Sequence, residues 1–218
     1  MEHRWLGFLS IGALGLMVFV FFWYRNQPVE ITIPESTVEV GSITQPTVTF
    51  VNPAKGAEEP TVTIVEFGDF ECEPCQTLAS SLEVLVKTFP DDVQVVWKDM
   101  PNESIHELAT PAAIAAHCAD RQGAFWTYHD ALFDRQAYLN ESQFTQIAQD
   151  LQLDVEKFQS CYDERDTLPI VKKDYEEGLA LGITSTPTLF IGDQTLVGAV
   201  TTQDLTTLVT ELLQDSSK

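Results

Sequence analysis

The stretch Thr61-Val62-Thr63-Ile64-Val65-Glu66-Phe67-Gly68-Asp69-Phe70-Glu71-Cys72-Glu73-Pro74-Cys75 decides the fold. Its first seven residues are β-branched or apolar except Glu66, the composition of a buried strand. Gly68 and Asp69 break that strand. Beyond Cys75, the residues Leu78, Leu82, Leu85, Val86 and Phe89 recur at helical spacing and define one apolar face. Pro90-Asp91-Asp92 ends the helix, Val93 to Trp97 reads as a second strand, and Met100-Pro101 closes it. Strand, helix, strand implies a parallel pair joined by a right-handed crossover.

Working outward, a helical stretch runs from about 105 to 166, Ala-rich at first and then carrying Phe125, Leu132, Phe133, Phe144, Ile147 and Leu151 at helical spacings. These spacings predict packed helices, not a cofactor box, and Phe125, Trp126, Tyr128 and Phe133 read as core. A further helix covers about 168–181, with Gly182 as its stop. Residues 188–191 and 195–197 flank a Gly192-Asp193 turn and read as a hairpin. Thr202 is the expected N-cap of a last helix whose inner face is Leu205, Leu208, Val209 and Leu212. The order βαβ, helical block, αββα is that of an α/β domain.

Cys72-Glu73-Pro74-Cys75 places a C-x-x-C at the start of a helix. Free backbone N–H groups and the helix dipole favour a negative sulfur there, and the thiolate is the nucleophile. Two intervening residues let the second sulfur resolve a mixed disulfide. Cys72 is thus the expected attacking sulfur, exposed, and Cys75 the more buried resolving one. Half of a zinc site is the rival reading, but it needs a second ligand pair at comparable spacing. Cys118 and Cys161 stand apart, with no clear pairing to His117 or His129, so no metal is expected.

Residues 61–76, then Ala115 to Phe133 with Gln122-Gly123-Ala124-Phe125-Trp126 and Tyr128-His129-Asp130, and finally Thr186-Pro187-Thr188, together resemble the DsbA-like branch of the thioredoxin superfamily over about 55–213. The resemblance implies a thioredoxin fold with a helical insertion after the second core strand. It implies a redox pair at Cys72 and Cys75 and no cofactor. It also implies a cis bond before Pro187, where the backbone of Thr186 meets the client chain by strand-like pairing. Glu66 falls where the family holds a buried carboxylate that accepts the proton of the resolving cysteine; read alone, it would be an outward-facing residue or a costly buried acid. Lys98 is a candidate counter-charge for it. Cys118 and Cys161 match a second, structural disulfide of some members. His106, His117 and His129 receive no catalytic role.

The dipeptide between the cysteines departs from the strong oxidases of the family, which often carry a histidine there. Here it is Glu73-Pro74. Pro74 suits a first helical turn. Glu73, with Glu71 and Asp69, opposes a thiolate. A like charge at about 4 Å costs roughly 1 kcal/mol in water and about 4 at an effective dielectric of 20. The helix end returns about 0.3–1 kcal/mol, up to roughly 2. A milder oxidant is the expectation.

Between Arg4 and Arg25 lie twenty uncharged, mostly apolar residues, Trp5 to Tyr24. A helix of that length spans about 30 Å, a bilayer core. Trp5, Trp23 and Tyr24 sit at its ends as an aromatic belt. The run ends in Phe21-Phe22-Trp23-Tyr24, with no small-residue cleavage site, so residues 1–25 read as an uncleaved transmembrane anchor and not a signal peptide. His3, Arg4 and the amino group lean toward a cytoplasmic N-terminus, with the rest outside, where disulfides persist. Residues 26–58 read as an extended linker, in which Thr47-Val48-Thr49-Phe50 is either an edge strand or plain spacer. The domain proper is expected over 59–215.

Lys+Arg is 12 and Asp+Glu 33 in the 218 residues, a net charge of −21. That argues against nucleic acid and anionic head groups as partners. The expected function is a single-pass, extracytoplasmic thiol–disulfide oxidoreductase that forms disulfides in reduced exported clients. A membrane redox partner would recycle it. An isomerase or reductase is the alternative, and a non-catalytic binding module the reading from another class. An acidic rim would favour basic clients.

Overall fold

The computed structural model describes residues 16–17 and 41–216. The chain divides into two units, and every element named below lies in the second, Ile33–Lys218. In chain order these are β1 (Ala54–Gly56), β2 (Val62–Gly68), α1 (Glu73–Thr88), β3 (Val93–Asp99), α2 (Ala109–Asp120), α3 (Phe125–Asp134), a 3-10 turn (Gln136–Tyr138), α4 (Glu141–Asp150), α5 (Val155–Glu164), α6 (Leu168–Ala180), β4 (Thr188–Ile191), β5 (Gln194–Val197) and α7 (Thr202–Ser216).

The strands form one five-stranded sheet in the order β1-β3-β2-β4-β5. β2 and β3 are parallel, with Glu66 opposite Trp97, as the βαβ pattern requires. β4 runs antiparallel on the other side of β2, pairing Glu66 with Leu189 and Phe67 with Thr188. Because side chains alternate, β2 splits its residues between two cores. Val62 and Ile64 pack with Val93 and Val95 under Leu78, Leu82 and Leu85 of α1 and Leu205 and Val209 of α7. Val65 and Phe67 pack with Val96, Met100 and Ile183 on the opposite face, against Tyr175 and Leu179 of α6. The helical insertion, α2 to α5, sits between β3 and α6, and Cys118 of α2 is bonded to Cys161 of α5.

Three boundaries move. The insertion's first helix starts at Ala109, because residues 101–108 are turns. The last helix is capped one residue earlier than expected: Thr201 Oγ1 accepts from the Asp204 amide at 3.2 Å. The edge strand is Ala54–Gly56, inside the stretch read as linker, and not Thr47–Phe50. Asn52 instead closes 49–52 as a turn, its Oδ1 accepting from the Thr49 amide at 2.9 Å, and leaves Phe50 exposed. Ala-Lys-Gly has little strand propensity of its own; the free edge of β3 imposes the pairing. Upstream, 41–52 is strapped along α6, with the Ile43 amide donating to Ala180 O at 3.0 Å and Asn52 Nδ2 to Asp174 Oδ1 at 3.2 Å.

The anchor expected over 5–24 lies outside the described residues, apart from Leu16 and Met17, which are helical. Among the described residues no helix is long and apolar enough to cross a membrane.

The Cys118–Cys161 bond closes a loop of sequence separation 43. Replacing both cysteines by alanine should lower stability by about 4 kcal/mol on chain-entropy grounds. Urea unfolding of the two proteins measures it, and unchanged midpoints would contradict it.

Candidate active site

The site is built where β2 hands the chain to α1. Gly68 is required at the hand-over: a Cβ there would overlap the Trp97 ring on β3. Phe70 then stacks on Trp97 with ring centroids 4.8 Å apart. Cys72 is the N-cap of α1, in extended backbone, and its Sγ accepts from the Cys75 amide at 3.2 Å. The sulfur therefore takes the place that a serine or aspartate oxygen usually fills. Cys72 and Cys75 are bonded to each other. Cys75 is fully buried, and Cys72 retains 4% exposure, less open than expected but still the outer sulfur of the pair.

The Thr186–Pro187 peptide is cis, and Thr186 O lies 3.4 Å from Cys72 Sγ. Sequence positions 114 apart thus meet because β4, which begins at Thr188, pairs with the end of β2.

Glu66 is 1% exposed, and its Oε1 has no hydrogen-bond partner. By alternation it shares a sheet face with Val62 and Ile64, the face covered by α1, whose first turn carries Cys75. Burial pushes its carboxyl up from 4.5 to about 8, with Lys55 pulling weakly the other way. Lys55, on β1, is therefore the cation that acts on Glu66. Its Nζ sits 3.2 Å from Glu83 and 4.4 Å from the centre of the Trp126 ring.

Lys98 is not the counter-charge of Glu66. It follows Trp97 and so points to the opposite face, where its Nζ meets Asp174 Oδ1 at 2.9 Å and Glu177 Oε2 at 2.6 Å. Nearby, His117 Nε2 meets Asp99 Oδ2 at 2.6 Å. Burial opposes a charged His117, but Asp99, Asp174 and Asp120 together raise the pKa. Asp174 is raised to about 6 by burial and by Asp99, against Lys98. Asp99, His117 and Asp174 bring one potential metal-ligand atom each within 4.8 Å of one another. Each is already engaged, Asp99 by Trp97 Nε1 and His117, Asp174 by Lys98 and Asn52. The cluster works as a buried charge network, in which His117 Nδ1 is left without a hydrogen-bond partner.

The loop before Cys72 is tied down by residues whose role was not legible in the sequence. Asp69 is buried; its Oδ1 accepts from the Glu71 amide at 2.8 Å, and its Oδ2 accepts from the Asn102 amide at 2.9 Å and meets His106 Nδ1 at 2.8 Å. Glu71 Oε2 accepts from the Leu108 amide at 2.5 Å. Burial, with Asp69 adding, raises the Glu71 pKa. Gln136 Nε2, in the insertion, donates to Phe70 O at 2.8 Å and Cys72 O at 3.1 Å. Under the loop, His129 fits among Phe70, Trp97 and Phe133, and burial lowers its pKa, against Asp130. Phe125, Tyr128 and Phe133 are buried, as the helical spacing implied. Glu73 and Pro74 form the exposed first turn of α1. Exposure brings the repulsion of Glu73 toward its aqueous size of about 1 kcal/mol.

The family model described as Thioredoxin matches residues 50–211. The chain belongs to the thioredoxin family. Its fold is similar to that of the thiol-disulfide exchange protein alpha-DsbA2 of Wolbachia pipientis, with TM-score 0.68 and 22% identity over 75% of this chain and 88% of that one. It also resembles a thioredoxin-like oxidoreductase of Silicibacter pomeroyi, with TM-score 0.66 and 25% identity over 78% of this chain and 94% of that one. Among curated proteins it is 31% identical over 156 residues to the Na(+)/H(+) antiporter NhaA 1 of Salinispora arenicola. That match covers 72% of this chain but 24% of the antiporter, so the chain spans a quarter of that relative's length.

The raised Glu66 gives a pH signature. The folded protein holds this proton up to about pH 8, whereas the unfolded chain releases it near 4.5. Between those values the folded state binds more protons, so its stability falls as pH rises through the window. Glu66→Gln cannot ionise and should gain on the wild type by a few kcal/mol from pH 5 to about pH 9. Urea unfolding across pH measures the difference; a flat difference would mean that the carboxyl is already charged at pH 5.

Proposed function

We propose that this chain is a thiol–disulfide oxidoreductase that forms disulfide bonds in reduced, exported polypeptides through Cys72 and Cys75. The observation that carries the reading is the sulfur of Cys72 held as the N-cap of α1, 3.4 Å from Thr186 O of the cis-proline loop. The outer sulfur is the one a client can reach, and the helix end favours it as a thiolate. Transport is not proposed, since the antiporter match spans only a quarter of that protein.

In the oxidising direction a client thiolate attacks Cys72 Sγ, the Cys72–Cys75 bond breaks, and Cys75 leaves with the electron pair. Glu66, protonated at neutral pH because burial raises it to about 8, lies on the α1 face and supplies the proton that Cys75 takes up. A second client thiolate then attacks the client sulfur of the mixed disulfide and expels the Cys72 thiolate. The client loses two electrons and the pair gains them. Run backward, with Glu66 as base, the same steps reduce a disulfide. Thr186 presents its backbone beside Cys72, where an extended client segment pairs with it.

Glu73 supports a milder oxidant than the strongest of the family. A reduction potential more negative than about −120 mV is expected, and a less negative value would contradict it. The twenty uncharged residues at 5–24 support a membrane anchor, with the redox domain on the extracytoplasmic side. There an oxidising setting keeps the pair and the Cys118–Cys161 bond formed. A membrane redox partner would reoxidise the pair.

Two variants test the exchange. Cys75→Ala should accumulate a mixed disulfide between Cys72 and a reduced client, visible by non-reducing electrophoresis and mass spectrometry, and Cys72→Ser should form none. Glu66→Gln should still be attacked at Cys72 but exchange at Cys75 about 100-fold more slowly at neutral pH, read by stopped-flow fluorescence. Absence of any adduct in Cys75→Ala would end the reading.

A further inference from the structure

Beside the cis-proline loop lies a cavity of about 360 Å³ that the exchange chemistry does not use. Met100, Tyr175, Leu179 and Ile183 supply apolar lining, and Thr186 closes one side. Among the described residues that line it, Glu103 is the charged one; no lysine, arginine or histidine faces it. One carboxylate oxygen of Glu103, Oε1, is buried with no hydrogen-bond partner. The neighbouring acids are spoken for: Asp69 meets His106, and Glu71 accepts from the Leu108 amide. Glu103 sits on the 101–108 segment, which the contacts of Asp69 hold against the active-site loop.

Thr186 belongs to both places. Its carbonyl is 3.4 Å from Cys72 Sγ, and it lines the cavity. A client joined to Cys72 and running extended past Thr186 advances about 3.3 Å per residue. Side chains within two residues of the attacked cysteine therefore pass the cavity mouth. The pocket asks for an amphipathic occupant, with an apolar stem for the Met100–Leu179 lining and a positive end for Glu103. Lysine and arginine have that build. The net charge of −21 adds a field that draws a basic segment in.

We propose that this cavity is a client subsite that seats one long basic side chain close to the cysteine under exchange, with Glu103 as its counter-charge. The proposal rests on the thiol–disulfide exchange reading and narrows its clients to polypeptides with lysine or arginine near the reacting cysteine. Glu103 acts by binding and takes no part in the sulfur chemistry.

The test uses the full-length chain and a set of reduced two-cysteine peptides. They are identical except for Arg, Ala or Glu, placed in turn at each position within two residues of one cysteine. At one or more positions kcat/KM should be about fivefold higher for Arg than for Ala, and lower again for Glu. The preference should fade in high salt, vanish in Glu103→Gln and invert in Glu103→Lys. Equal kcat/KM for the three peptides at every position would overturn the proposal while leaving the exchange reading intact. So would an Arg preference that survives in Glu103→Gln. Oxidation of none of the peptides would sink both, and the wild-type series alone decides between these outcomes if a variant fails to fold.

Discussion

A single hydrogen-bond acceptor organises the molecule: the sulfur of Cys72, capping the first turn of α1. A helix begins with amide groups that have no partner within the helix. Here the acceptor is also the atom proposed to react. Holding it there requires the chain to leave β2 along one path, which Gly68 allows by yielding space to the Trp97 ring. The Asp69, Asn102 and His106 contacts and the Gln136 bonds then keep the loop in place. The helical insertion is thus part of the site, because it contributes Gln136 and the aromatic bed of Phe133 and His129 under Phe70.

The sheet keeps two buried charge systems apart. On the α1 face, Glu66 has no partner for one oxygen, and burial holds it protonated until about pH 8. On the α6 face, Lys98 is paired with both Asp174 and Glu177. The pleat of β2 and β3 is the reason, since neighbouring residues such as Trp97 and Lys98 point to opposite sides. An unpaired acid is poised to exchange a proton, and a paired network is not. The same strand ends therefore carry an acid with an unpartnered oxygen on one face and a paired cluster on the other.

Much of this was legible in the chain. The β-branched, apolar run 61–67, the helical spacing from Leu78 to Phe89 and the Gly-Asp hairpin each express a local rule, and the elements formed where those rules placed them. The Cys72–Cys75 pair, the cis Thr186–Pro187 segment and the buried Glu66 were readable because each carries a local or family signature. Lys55, Gln136, His106 and Glu103 were not. They are ordinary polar residues in a stretch read as linker, a helical block and a turn, and nothing in their spacing points to the site. Lys98 was misjudged for a related reason: nearness in sequence to the end of a strand says little unless the parity of the pleat is followed through.

The sequence by itself determined the main elements, their order and the place of the sulfur pair at a helix start, because hydrophobic period, turn residues and helix-end electrostatics act over a few residues. Only the tertiary structure decided which distant groups meet. The pairing of β4 with β2 brought Thr186 to Cys72, the free edge of β3 drew in Ala54–Gly56 with Lys55, and the turn after β3 set Glu103 at a cavity beside Thr186. Those meetings depend on strand register and on which edge remains open, and both are settled only when the whole sheet has formed.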